Sequence, residues 1–129
     1  MQKIFFTLVF SAVATVTLAS EPSNGGLCRG AISLVMLKDH SIIEAQDHGS
    51  EVHVSYTRPA DGSKFELKCK FPKESTVIWA GKIDGKWGRW RDKSDDSVVT
   101  YKVSGGSITF YENMAGRVIN QKTIDITEL

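Results

Sequence analysis

From Ile42 to the last residues the chain alternates apolar and polar positions, and turn signals cut that alternation at short intervals. Period two over short runs between Gly, Pro, Asn and Asp clusters marks half-buried β-strands joined by tight turns. The runs read as eight strands, at 42–47, 51–58, 64–71, 76–83, 86–91, 98–104, 107–112 and 117–126. Connections this short impose an antiparallel meander, because parallel neighbours need a crossover of a dozen or more residues.

One stretch departs from this pattern. In GLCRGAISLVMLK, residues 26–38, Leu27, Ala31, Leu34 and Val35 recur at helical spacing, Ile32 and Met36 widen the stripe, and only Arg29, Ser33 and Lys38 are clearly polar. A helix apolar around most of its circumference has to be covered on several sides. The expected class is therefore α+β, one N-terminal helix packed on a curved antiparallel meander, and eight strands are enough to close a small barrel.

Register is testable, because a one-residue slip moves every side chain to the other face. A turn at His48 and Gly49 pairs Ala45 with Val52 and Ile43 with Val54, and sets His53 opposite Glu44. A four-residue turn at Pro59 to Gly62 pairs Tyr56 with Phe65, Val54 with Leu67 and Val52 with Cys69. Both turns select the same inner face and leave Glu44, His53, Ser55, Glu66, Lys68 and Lys70 outside. The Gly105 and Gly106 turn likewise pairs Val103 with Ile108 and Tyr101 with Phe110.

Residues 1–19 carry Lys3 followed by an uncharged apolar run, with Thr17 and Ala19 at the small-residue positions of a cleavage site, and read as a signal peptide. Residues 20–129 then form one secreted or periplasmic domain with no membrane anchor after cleavage. Loss of Lys3 takes the formal charge from +1 to zero, which proposes no nucleic-acid or membrane partner. In an exported chain the two cysteines, Cys28 and Cys69, are expected to be bridged, joining the helix to the third strand.

All three tryptophans lie in WAGKIDGKWGRWR, residues 79–91. Asp84 and Gly85 signal a type I′ hairpin. Centring the turn there pairs Trp79 with Trp90 and Gly81 with Gly88 on one face, and Lys82 with Trp87 on the other. The face that turns inward depends on the turn at Pro72 to Ser75. If Phe71 pairs with Thr76, the Trp79 and Trp90 pair faces out; if with Val77, the pair belongs to the core and Trp87 is left outside near the tip. The candidate binding residues are Trp87, Lys82, Lys86, Arg89 and Arg91, with Trp79, Trp90, Gly81 and Gly88 as the alternative platform. Aromatic and basic residues interleaved in this way bind glycans or anionic ligands by stacking and charge.

No phosphate loop, dinucleotide fingerprint, G-x-S-x-G or H-E-x-x-H occurs, so no catalytic, cofactor or metal residue is assigned. KDH at 38–40 and QDH at 46–48 are Asp-His neighbours without a converging ligand set, and Asp95 and Asp96 fall in a polar loop, RDKSDDS, where they read as solvated. In size, export signal, cysteine count and meander the chain resembles the small periplasmic lysozyme inhibitors. No stretch aligns with their inhibitory loop, so the resemblance concerns architecture and assigns no residue. The expected function is that of a small exported binding or inhibitor module, recognising a protein or a cell-envelope glycan through the tryptophan hairpin. A lipocalin-like carrier of a small ligand is the alternative, and a hydrolase with a spatially assembled His and acid site comes last.

Overall fold

The computed structural model describes residues 21–129; the expected signal peptide lies outside the described residues. The helix, α1, spans Asn24–Val35, because the Ser23 hydroxyl accepts the Gly26 N–H at 3.0 Å and starts it two residues earlier than the apolar stripe suggests. It ends in a Schellman turn, where Leu37 takes φ 54° and Lys38 N–H reaches the Ser33 carbonyl at 3.0 Å. Eight of its residues are buried, so it is wrapped as its composition requires. Arg29, on its least covered side, donates to the carbonyls of Ile43 and His40 at 2.7 and 2.9 Å.

The strands are β1 Glu44–His48, β2 Glu51–Thr57, β3 Lys64–Lys70, β4 Thr76–Ile83, β5 Lys86–Trp87, β6 Val98–Ser104, β7 Ser107–Met114 and β8 Arg117–Asp125. They form one antiparallel sheet in the order β1-β2-β3-β4-β6-β7-β8, with β5 paired to β4. The sheet is curved around α1 and does not close into the small barrel that eight strands permit. The helix packs against both β1–β2 and β7–β8, and Leu129 abuts Gly26, so helix and C-terminus occupy the space in which the edges β1 and β8 would have to meet.

The turns at residues 59–62 and 105–106 set the expected registers, Tyr56 with Phe65 and Tyr101 with Phe110 included. The first hairpin differs by two residues: the turn is Gly49 and Ser50, Gly49 takes φ 72°, Ala45 pairs with Val54, and His53 faces Gln46 rather than Glu44. A two-residue slip preserves the faces, so Val52 and Val54 still point inward. Ile42 joins a 3-10 turn, His40–Ile42, in which Asp39 accepts the Ser41 N–H at 2.9 Å, and so does not begin β1.

The core lies between α1 and the concave face, with Ile32, Ile43, Val52, Val77, Val99, Ile108 and Phe110 fully buried. Two contacts lock the helix into this concavity. Gly30 lies against the Phe110 ring so closely that any Cβ there would overlap it. Cys28 and Cys69 form the expected bridge, with Cα atoms 5.8 Å apart. Among the described residues no helix is long and apolar enough to cross a membrane.

Gly30→Ala is expected to lower stability by about 1–3 kcal/mol, because the Phe110 ring must leave its position to admit one methyl group; the urea midpoint measures it. Reducing the bridge, which closes a loop of 41 residues, is expected to lower stability by up to about 4 kcal/mol. Melting curves with and without reductant read that difference.

Candidate functional site

The β4–β5 hairpin begins as its sequence requires. Asp84 and Gly85 both take positive φ, 51° and 76°, and Lys82 pairs with Trp87 and Ile83 with Lys86. Across the other edge of β4, Cys69 faces Trp79 and Lys70 faces Ile78, so the register continues to Phe71 opposite Val77 and Trp79 lies on the core side. Trp87 is therefore on the convex, outer face.

Beyond Trp87 the expected strand does not continue to Arg91. Gly88 N–H still reaches the Gly81 carbonyl at 2.8 Å, in a contact so close that a Cβ at Gly88 would lie 3.1 Å from that oxygen. The next bond, from Arg91 N–H to the Trp79 carbonyl at 2.8 Å, lies three residues further on this side and two further on β4. One extra residue is a bulge, and a bulge exchanges the faces beyond it. Arg91 takes the place across from Trp79 with its guanidinium 5.6 Å from the indole centroid, and Trp90 turns to the outer face. The expected Trp79 and Trp90 pair does not form, and the platform of Trp79, Trp90, Gly81 and Gly88 is not assembled.

Asp96 holds the bulge in place. It accepts a two-pronged pair from Arg89 at 2.6 and 2.9 Å and the Lys93 N–H at 3.0 Å, while Arg91 approaches to 3.8 Å. The side chain is 7 % exposed, which corrects the reading of Asp96 as a solvated loop residue. The Arg89 fork, with the Lys93 N–H and Arg91 beside it, holds the carboxyl down to about 2 despite partial desolvation.

On the outer face the hairpin and loop complete a ladder of rings and ammonium groups. His48 stacks on His53 with centroids 3.8 Å apart, and His53 meets the edge of Trp87 at 5.1 Å. The Lys68 ammonium lies 4.8 Å from the centroids of both Trp87 and Trp90, and Lys70 lies 4.6 Å from Trp90. Each exposed cation–π contact contributes on the order of 0.5–1 kcal/mol. Trp90 thereby lies over the lysines that face Ala80 and Ile78, which explains why those two residues are buried on the outer side of the sheet, apart from the main core.

A groove of about 320 Å³ opens beside Trp87, walled by Glu44, Gln46 and His48 of β1, His53 and Ser55 of β2 and Lys64 and Glu66 of β3. Of the five expected binding residues, Trp87 faces this groove and Lys82 borders Trp87, its ammonium 5.5 Å from the indole and 3.1 Å from Glu66. Lys86 is exposed at the hairpin tip, whereas Arg89 and Arg91 are engaged with Asp96. Sequence reasoning placed His53, Lys68 and Lys70 on the outer face but gave them no role, and it missed His48 and Asp96 as parts of the site. The signal available for the lysines was their period of two opposite the hairpin.

Among the described residues no three His, Cys, Asp or Glu side chains converge as a metal site requires. Asp47 and His48 point to opposite faces of β1, and Asp39 serves as a turn cap beside His40. No family model, curated protein or solved structure matches this chain.

The pH dependence of the loop follows from Asp96. Its carboxyl is depressed from the usual 3.8 to about 2, so its contribution is complete above pH 3.8 and is lost as the pH falls through about 2. Tryptophan fluorescence is expected to show a transition in that interval in the native protein and none in Asp96→Asn, whose loop is already loosened at neutral pH.

Proposed function

We propose that this chain is a small exported binding module that recognises a glycan in the groove beside Trp87. Export is supported by the apolar leader and by the closed Cys28–Cys69 bridge. The observation that carries the ligand class is the lining of the groove: one partly buried indole surrounded by carboxylate, amide, imidazole and hydroxyl groups and the Lys64 ammonium. A sugar ring offers a C–H face for the indole and hydroxyls that both donate and accept, and Glu, Gln, His and Ser between them supply both kinds of partner. A protein interface favours the opposite arrangement, since charged residues are depleted at the centre of such contacts.

The carrier alternative is disfavoured because α1 fills the concave side with Cys28, Ala31 and Ile32 fully buried, where a lipocalin-like ligand would lie. Binding then falls to the convex face, where the tryptophan hairpin and β1 meet.

Trp87→Ala is expected to weaken glycan binding about 30-fold or more, the effect of losing a contact hot spot of 2 kcal/mol, while the fold is retained. Trp90→Ala is expected to destabilise the protein by about 1–3 kcal/mol, because it uncovers Ile78 and Ala80. A glycan array followed by titration of the strongest binder measures the first effect, and thermal melting the second. Full binding by Trp87→Ala would place the site elsewhere, and retention of no glycan would remove the reading itself.

A further inference from the structure

Next to the groove, two ammonium groups are held in place without a hydrogen-bond acceptor. Lys68 is only 16 % exposed, and the indoles of Trp87 and Trp90 flank its ammonium at 4.8 Å each. Its nearest carboxylate oxygen, on Glu51, is 3.8 Å away, beyond hydrogen-bond reach, and that oxygen also lies 3.5 Å from His53. Lys70 repeats the arrangement one step along β3, 4.6 Å from the Trp90 centroid and 3.9 Å from Asp92. Among the described residues neither ammonium donates a hydrogen bond, whereas Lys122, on the concave side, donates to the Ser33 hydroxyl and the Lys38 carbonyl.

An ammonium carries three donors, and where indole faces cover part of it the remaining donors are left to solvent or to an incoming partner. The aromatic contacts fix its position, so an incoming acceptor meets a preorganised charge rather than a flexible side chain. A carboxylate satisfies this better than a hydroxyl, because charge-assisted hydrogen bonds are roughly twice as strong as neutral ones. Lys68 and Lys70 share one face, two residues apart along the strand, about 7 Å, with Trp90 between them. Of the acidic residues of the groove, Glu44 is on β1, and Glu66, the neighbour of Lys68 on the same face of β3, is already paired with Lys82 at 3.1 Å.

We infer that the ligand is an acidic sugar, a carboxylate-bearing glycan whose ring stacks on Trp87 and whose carboxylate meets Lys68 and Lys70. This rests on the glycan reading of the groove and adds its charge and orientation. Glu51 and Asp92 then act as placeholders that keep the two lysines from repelling each other while the site is free.

The test compares each acidic oligosaccharide with its neutral methyl ester, which keeps the ring and the stacking but removes the charge. Tetramers of galacturonate, of glucuronate and of N-acetylmuramate-containing glycan, each as acid and ester, are titrated into the oxidised protein. At least one acid is expected to bind 10-fold or more tightly than its ester, with a preference that shrinks as salt is raised from 50 to 300 mM. Lys68→Gln and, separately, the more exposed Lys70→Gln are each expected to reduce the ratio of acid to ester affinity at least threefold. Lys68→Arg is expected to retain it, and Trp87→Ala to weaken acid and ester alike. Equal binding of acid and ester overturns the inference and leaves the glycan reading standing; binding of neither overturns the inference, and the glycan reading falls with it only where the array also retains no glycan. A preference that survives in folded Lys68→Gln and Lys70→Gln overturns the assignment to these lysines.

Discussion

The contact between Gly30 and the Phe110 ring determines the form of the rest of the molecule. It allows α1 to sink into the concavity until Cys28, Ala31 and Ile32 lose all contact with solvent, and the Cys28–Cys69 bridge then fixes the helix against β3. With the inside filled by protein, the sheet stays open and its interior offers no volume to a ligand. The proposed recognition then falls to the outer face, where stacking on a sugar ring needs exposed aromatic surface. The β4–β5 hairpin and its loop add it.

How they do so depends on a second, electrostatic constraint. A regular hairpin from Asp84 and Gly85 would have set all of Trp79, Gly81, Gly88 and Trp90 on one face. The Arg89 and Asp96 fork draws the chain out of register after Gly88, and the single extra residue places Trp90 beside Trp87 on the outer face. Lys68 then serves both indoles at once. A local ion pair thus rearranges the distribution of aromatic surface over the two faces of the sheet, an effect far larger than its direct share of stability.

The legible parts of the fold were those governed by local chemistry. Turn residues and period two defined the strands, the four-residue turn at 59–62 and the Gly105 and Gly106 turn defined register, and two cysteines behind an expected export signal defined the bridge. The slip in the first hairpin arose because Gly49 serves equally well at either position of a two-residue turn. The fate of Trp90 was not legible, because it depends on an acidic residue seven positions after Arg89 whose surroundings, RDKSDDS, look wholly solvated. Trp87 lies on the outer face, as expected once the pair was taken as core, since parity across the turn fixed it opposite to Trp79. Its neighbours come from β1, β2 and β3, strands whose outer residues look alike in sequence, and only the curvature of the sheet selects among them.

β4 has a further role through its pairing. Its outer half, Ile78 to Gly81, belongs to β3, and only Thr76 and Val77 pair with β6. The eight strands are thus two hairpin systems joined by a seam two residues long, with the helix lying across it. On one side of the seam the helix is tied by a covalent bond; on the other it is held by packing on Phe110 and by the hydrogen bonds from Lys122. Such asymmetry divides the molecule into a stapled unit, β1 to β4 with α1, and a docked unit, β6 to β8. Partial opening follows the weaker attachment, so the docked unit swings away first, while the stapled unit keeps the groove, both outer tryptophans and the helix together.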